Sequence, residues 1–290
     1  MAGEFERYFL AKNDSLKTIV KLNCVLNVPL MLITISGNAL VLVAVMRTPS
    51  IRSPSTIMLC SLAVSDLLVG LAVQPLYAAS YLTRNYSLFE ATRTLGFIAS
   101  GVSLFTMTAI AVDRILALHY HLRYPLVMTK SRAICVLATL WIIAVLLSCS
   151  AFLNKIVYEF TIAITIAISL FTSAVSYVKI FWIVRLHHLQ ISIQEEAMKS
   201  VNSGKVRDFQ RSKKGAVNAF IYFIAMILCY TPMFISMSIS VELWKIEWIL
   251  ADTLVFINSS INSFLYCWRF RDLRAAVLKT KRQCLCQMIE

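Results

Sequence analysis

The stretch AVNAFIYFIAMILCYTPMFISMSISV (Ala216–Val241) contains no Asp, Glu, Lys or Arg. A helix needs roughly 20 mostly apolar residues to cross the hydrocarbon core of a bilayer, and this stretch exceeds that. Working outward, six further stretches meet the same requirement: Ile19–Met46, Thr56–Leu82, Thr92–Leu118, Ala133–Leu153, Ile156–Val184 and Ile246–Trp268. Strands of an outer-membrane barrel would be about 10 residues of alternating polarity, unlike these long continuous runs. Lipid offers no partner to an unpaired backbone group, so open-ended crossings are helices. The expected fold is an all-α integral membrane bundle of seven transmembrane helices. Composition agrees: 59% of the 290 residues are hydrophobic and 15% charged, against about 45–50% and 25% in soluble domains. Disordered chains lack apolar surface, so that class is excluded.

Charge sets the orientation. If the N-terminus lies outside, Arg47 and Arg52, then Arg123, Lys130 and Arg132, then seven cations from Arg185 to Lys214 and six from Arg269 to Arg282 fall inside. These are 18 of the 28 Lys and Arg, and the positive-inside rule places that side in the cytosol. The net charge of +13 therefore reads as topology and contact with anionic lipid, not as a nucleic-acid surface. The expected organisation is an extracellular tail over 1–18, a transmembrane domain over 19–268 with a long cytoplasmic loop at about 186–214, and a tail over 269–290. In that tail Phe270, Leu273 and Val277 recur at helical spacing beside Arg271, Arg274 and Lys279, which suits an amphipathic eighth helix on the inner leaflet; a basic tail without that helix is the alternative. No cleavable signal peptide is visible.

Asn13 and Asn85 head glycosylation sequons on the expected outer side. Cys284 and Cys286 follow the amphipathic segment and suit palmitoylation. Most other cysteines lie within spans, where a thiol packs as a small apolar group, so no disulfide is expected.

Polar residues inside the spans are the candidates for function. Asp66 sits mid-span, where a carboxylate costs about 2.5–3.5 kcal/mol and requires partners inside the bundle. Asn38, Ser103, Asn258, Ser259 and Asn262 are at similar depth. Together they read either as hydrogen-bonded packing or as a hydrated switch in which a small cation neutralises the acid. Asp113-Arg114 ends the third span at its cytoplasmic side, and by spacing alone is an ordinary snorkelling pair.

In combination these residues resemble the rhodopsin-like (class A) G-protein-coupled receptors over nearly the whole chain. Gly37-Asn38-Ala39-Leu40-Val41 looks like the first-helix signature, and Leu62-Ala63-Val64-Ser65-Asp66 like the second. Asp113-Arg114-Ile115 stands for Asp-Arg-Tyr, Trp141 for the fourth-helix tryptophan and Tyr177 for the fifth-helix tyrosine. Cys229-Tyr230-Thr231-Pro232 is similar to Cys-Trp-x-Pro, and Asn262-Ser263-Phe264-Leu265-Tyr266 to Asn-Pro-x-x-Tyr.

The resemblance implies a receptor that catalyses nothing and passes an extracellular ligand's signal to a heterotrimeric G protein at the plasma membrane. It assigns coupling and switching to Asp113, Arg114, Tyr177, Tyr230, Pro232 and Tyr266. It also implies a sodium ion near Asp66, and no other cofactor. Leu122-Arg123-Tyr124 and the short second outer loop look like the melanocortin and adenosine branch, and Phe89 and Ser169 stand where melanocortin receptors also lack a cysteine and a proline. Ligand residues do not carry over: the melanocortin acids would fall at Leu76, Phe89 and Arg93, and the aminergic aspartate at Gly96. With Arg211-Ser212-Lys213-Lys214 before the sixth span, Asp113 is the only evident restraint on Arg114. A non-signalling scaffold or decoy, or a transporter or channel, are the other classes; no internal repeat supports a duplicated carrier.

Overall fold

A computed structural model describes residues 14–120, 123–152, 154–197, 221, 223–236, 246–269, 274, 275 and 277–279. Among them six helices are long and apolar enough to cross a membrane, and Phe223–Ser236 is a shorter apolar helix. The spans in chain order are Asp14–Arg47, Pro54–Thr83, Tyr86–Tyr120, Lys130–Ser148, Lys155–Ala197, Phe223–Ser236 and Ile246–Arg269. The outer parts of the expected Ala216–Val241 lie outside the described residues, as do Asn13, Cys284, Cys286, Phe270 and Leu273. Val277 of the tail is buried.

Several helices run past their hydrophobic stretches because a capping side chain, and not lipid, defines each start. Ser53 accepts a hydrogen bond from the Thr56 amide with Pro54 at the first position. Asn85 accepts from Leu88 at 3.1 Å, Thr129 from Arg132 at 3.3 Å and Asn154 from Val157 at 2.7 Å. These are the N-cap residues that satisfy the orphan amides of a first turn. The third span therefore begins at Tyr86 and not Thr92, which brings Glu90 into the helix one turn before Arg93.

The second span is broken by a π-helical turn at Val69–Val73. Pro75 follows it and has no amide to donate, while the Gln74 amide reaches back to the Val69 carbonyl. The wider turn rotates the outer third of the span, so that Gln74, Tyr77 and Tyr81 are buried. Such π turns are frequent at functional positions.

Packing is inside out relative to a soluble protein. Leu22, Leu71, Phe171 and Phe264 face outward, whereas Asn27, Thr34, Asn38, Ser103, Asn258 and Asn262 are buried. Small residues let helices approach closely. A methyl group at Gly37 would overlap the Ser263 side chain, so the backbone of the first span lies directly against Ser263 of the seventh. The sequence departure at Ser263 is thus part of this contact. Gly37→Val is expected to cost about 1–3 kcal/mol, the usual range for overpacking, read as a lower melting temperature in detergent.

Trp141 donates to the Ser61 hydroxyl at 3.1 Å and ties the fourth span to the second. On the outer side Phe89 is buried against Tyr81 and Tyr86, with ring centroids 6.1 and 6.2 Å apart. Tyr77 joins this cluster to Phe256 of the seventh span at 5.2 Å. Cys24, Cys60, Cys135, Cys149 and Cys229 are free thiols.

Candidate functional site

Three sites lie along the axis of the bundle. The first is at the end where the second span begins and the third ends. Asp113 is fully buried, and its carboxylate collects three donors: Arg114 at 2.6 Å, Tyr124 at 2.6 Å and Ser55 at 2.9 Å. Arg114 also donates to the Ser55 hydroxyl. Charge-assisted bonds of this kind are about twice as strong as neutral ones. Tyr124 sits on the short loop helix Tyr124–Val127. Burial, and then its bond to Asp113, push the phenol up to about 12, so it is a proton donor at neutral pH.

Asp113 is thus not the only restraint on Arg114: Ser55 of the second span holds it as well. The sequence shows no pairing signal for Ser55 or Tyr124, which lie 58 and 11 positions from Asp113. Tyr177 packs against Phe223 at 5.0 Å and beside Ala111 and Ile115, joining the fifth and sixth spans to the third. The Tyr266 backbone is in the seventh helix; its side chain is outside the described residues.

The second site surrounds Asp66, which is fully buried. Asn262 donates to the carboxylate at 3.0 Å and Ser103 at 3.4 Å, and Ser259 is within bonding reach. Asn38 and Asn258 do not bond the acid. Asn38 donates to the Thr34 carbonyl at 2.9 Å and the Ser259 carbonyl at 3.2 Å, and Asn258 points its amide at the Met107 sulfur. The side-chain oxygens of Asn38, Asn258 and Asn262 are buried without a donor. Buried polar atoms are nearly always paired, so these oxygens, which have no donor among the described residues, are open to water or a hard cation; of the three residues, Asn262 is the one that bonds Asp66.

The third site is a cavity of about 100 Å³ at the opposite end of the bundle from Arg114. Gly96 lies in its wall, and 18 residues of helix at 1.5 Å each put it about 27 Å from Arg114. Its walls are mainly aromatic and aliphatic, with Arg93 and Asp252 as the charged members. Arg93 bonds Glu90 at 2.5 Å and lies over the Tyr158 ring, 4.4 Å from its centroid. Tyr230 lines the floor, donates to the Ser100 carbonyl at 3.2 Å and lies beside Ser103 and Asp66. It therefore touches both the cavity and the acidic centre. Pro232 follows two residues later in the same helix.

A family model described as the seven-transmembrane receptor, rhodopsin family, matches residues 37–266. The chain belongs to that family. It is a multi-pass G-protein-coupled receptor and not an enzyme, and it lies near the melanocortin branch. It is 26% identical to melanocortin receptor 4 of Danio rerio, over 88% of this chain and 81% of that one. It is 27% identical to melanocortin receptor 3 of Homo sapiens, over 88% and 82%. The histamine H2 receptor of Rattus norvegicus is 27% identical over 91% and 80%.

In this receptor the sequence picked out both polar centres but not a buried network beside them. Asn23 donates to Thr253 at 2.7 Å, Tyr77 donates to Asn23 at 3.2 Å and to the Ile249 carbonyl at 3.2 Å, and Asn27 donates to Asn23 at 3.0 Å. This clamps the first, second and seventh spans. The signal for it in the sequence is the pair Asn23 and Asn27, one turn apart in an apolar helix and hence on one face. Asp252, within the expected last span, lies in the seventh helix and lines the cavity. Arg93, near the start of the expected third span, lies well inside its helix.

Proposed function

We propose that this receptor sits in the plasma membrane with its N-terminus outside, takes its ligand in the cavity over Tyr230, and activates a heterotrimeric G protein through Arg114. The observation that carries the reading is the placement of Arg114, tied by Asp113 and Ser55 at the end of the bundle opposite the cavity. A ligand shifts such a system only by its differential affinity for two states. Tyr230, in contact with the cavity and close to Asp66, is the element both sites bias. Arg114, released from its partners, would meet the G protein with Tyr177 and Tyr266 nearby. Basic inner loops would face the same protein and anionic lipid.

A sodium ion would be held by Asp66, Ser103, Asn262 and the orphaned oxygens of Asn38 and Asn258; this donor set of carboxylate, hydroxyl and amide oxygens fits a hard cation. Its positive charge would compensate Asp66 in the bundle interior. Asn13 and Asn85 are proposed as glycan acceptors, and Cys284 and Cys286 as palmitoylation sites. The relatives' names point to melanocortin, octopamine and histamine, so kinship does not choose the ligand.

Arg114→Ala tests the reading. Nucleotide exchange by a co-reconstituted G protein is expected to fall to the receptor-free level while surface expression persists. Exchange equal to wild type would remove Arg114 from coupling, and no exchange from the wild type with any G-protein class would favour the non-signalling scaffold.

A further inference from the structure

Asp252 has a carboxylate on the cavity wall and neither hydrogen bond nor ion pair among the described residues. It lies within Coulombic reach of Tyr77 and Tyr158. The Tyr77 hydroxyl is already committed to Asn23 and the Ile249 carbonyl, and that of Tyr158 points to the Arg93 carbonyl at 3.5 Å. The guanidinium in the same cavity bonds Glu90 on one side and lies over the Tyr158 ring on the other, with its Nε–H left without an acceptor among the described residues. Of the charged groups around Tyr158, Arg93 and Glu90 pair with each other, Glu159 engages another group, and Asp252 is the acid that lines the cavity with no partner among the described residues. An ionisable group within the membrane without a partner marks a ligand or ion site.

Shape narrows the class. A cavity of about 100 Å³ is on the scale that holds a single ring; an apolar cavity of about 150 Å³ takes up benzene. Phe97, Trp248 and Phe256 line it, and their ring faces favour both an aromatic body and a cation. Gly96 adds no side chain to the third-helix wall, where it lies beside Val73 of the second span, and Asp252 is the acid that a ligand meets in this cavity.

We propose that the cavity binds a small organic ammonium ion with one aromatic ring, its charge on Asp252 and its ring among Phe97, Trp248 and Phe256. This deepens the ligand reading above and rests on it for the location of the site. The cation replaces the missing partner of Asp252, which desolvation would otherwise leave costly. Its ring rests above Tyr230, the contact through which occupancy reaches Asp66.

The test is thermal unfolding of the purified receptor in lipid nanodiscs, without G protein. The probes are 2-phenylethylamine, its neutral counterpart 2-phenylethanol and its anionic counterpart phenylacetate. The amine is expected to raise the melting temperature saturably, and the alcohol and acid to need at least tenfold higher concentration for the same shift. Asp252→Asn is expected to weaken the amine at least tenfold and to abolish its advantage over the alcohol. Equal effects of all three probes on the wild type, or no effect of the amine at millimolar concentration, would overturn the assignment; neither comparison needs the variant to fold. An Asp252→Asn protein that binds the amine as the wild type does would overturn it too. Because no G protein is present, amine binding without any change in nucleotide exchange counts against the signalling reading alone. Exchange that depends on Arg114 without amine binding counts against this one alone.

Discussion

Asp113→Asn is expected to raise ligand-independent nucleotide exchange about tenfold or more while the receptor still reaches the cell surface. The carboxylate is the common acceptor for Arg114, Tyr124 and Ser55. An amide retains the shape but removes the charge and turns one acceptor into a donor. Hydrogen bonds to charged groups contribute about 1.5–3 kcal/mol each. Losing the equivalent of one such bond from the tethered arrangement shifts the balance toward a released Arg114 by about tenfold to a hundredfold, since about 1.4 kcal/mol is a factor of ten. Tyr124→Phe leaves the charge pair and removes one donor, so its rise should be smaller. GTPγS loading of purified G protein, normalised to surface receptor, reads both. Exchange in Asp113→Asn at or below wild type would show that the Asp113 knot does not hold the resting state.

The second large effect is expected at the buried acid. Wild-type receptor should be more stable, and its basal exchange lower, in sodium than in N-methylglucamine at equal ionic strength. Asp66→Asn should show no difference between the two salts. With sodium at ten times its dissociation constant, linkage stabilises the binding state by about 1.4 kcal/mol, enough to move melting by a few degrees. The isosteric amide keeps the Asn262 and Ser103 neighbours while removing the charge that a cation compensates. An identical sodium response in wild type and variant would take Asp66 out of any cation site and leave it as interhelical packing.

Much of the architecture was legible in the sequence because bilayer thickness imposes a length and lipid imposes a composition. The run Ala216–Val241 could be read as a crossing without knowing its neighbours. Helix ends were less legible: Asn85 and Thr129 act through one side-chain bond each, outside the stretches that hydropathy marks. The acid at Asp66 announced itself by cost, and Asn262 and Ser103 prove to be its partners. Asn38 and Asn258, chosen on the same grounds, bond elsewhere. Depth along a helix is readable from the sequence, but the direction in which a side chain leaves it depends on packing.

The sequence by itself determined how many apolar crossings there are, which residues are too polar for lipid, and the family to which the chain belongs. These are properties of single segments against a uniform solvent. Only the tertiary structure decided that Ser55 shares the hold on Arg114, that Gly37 and Ser263 meet, and that Asp252 and Gly96 line one cavity. Each of these joins residues far apart in the chain, and their meeting depends on helix rotation. A π turn ahead of Pro75 changes that rotation by a fraction of a turn, which no count of residues along a single span reveals.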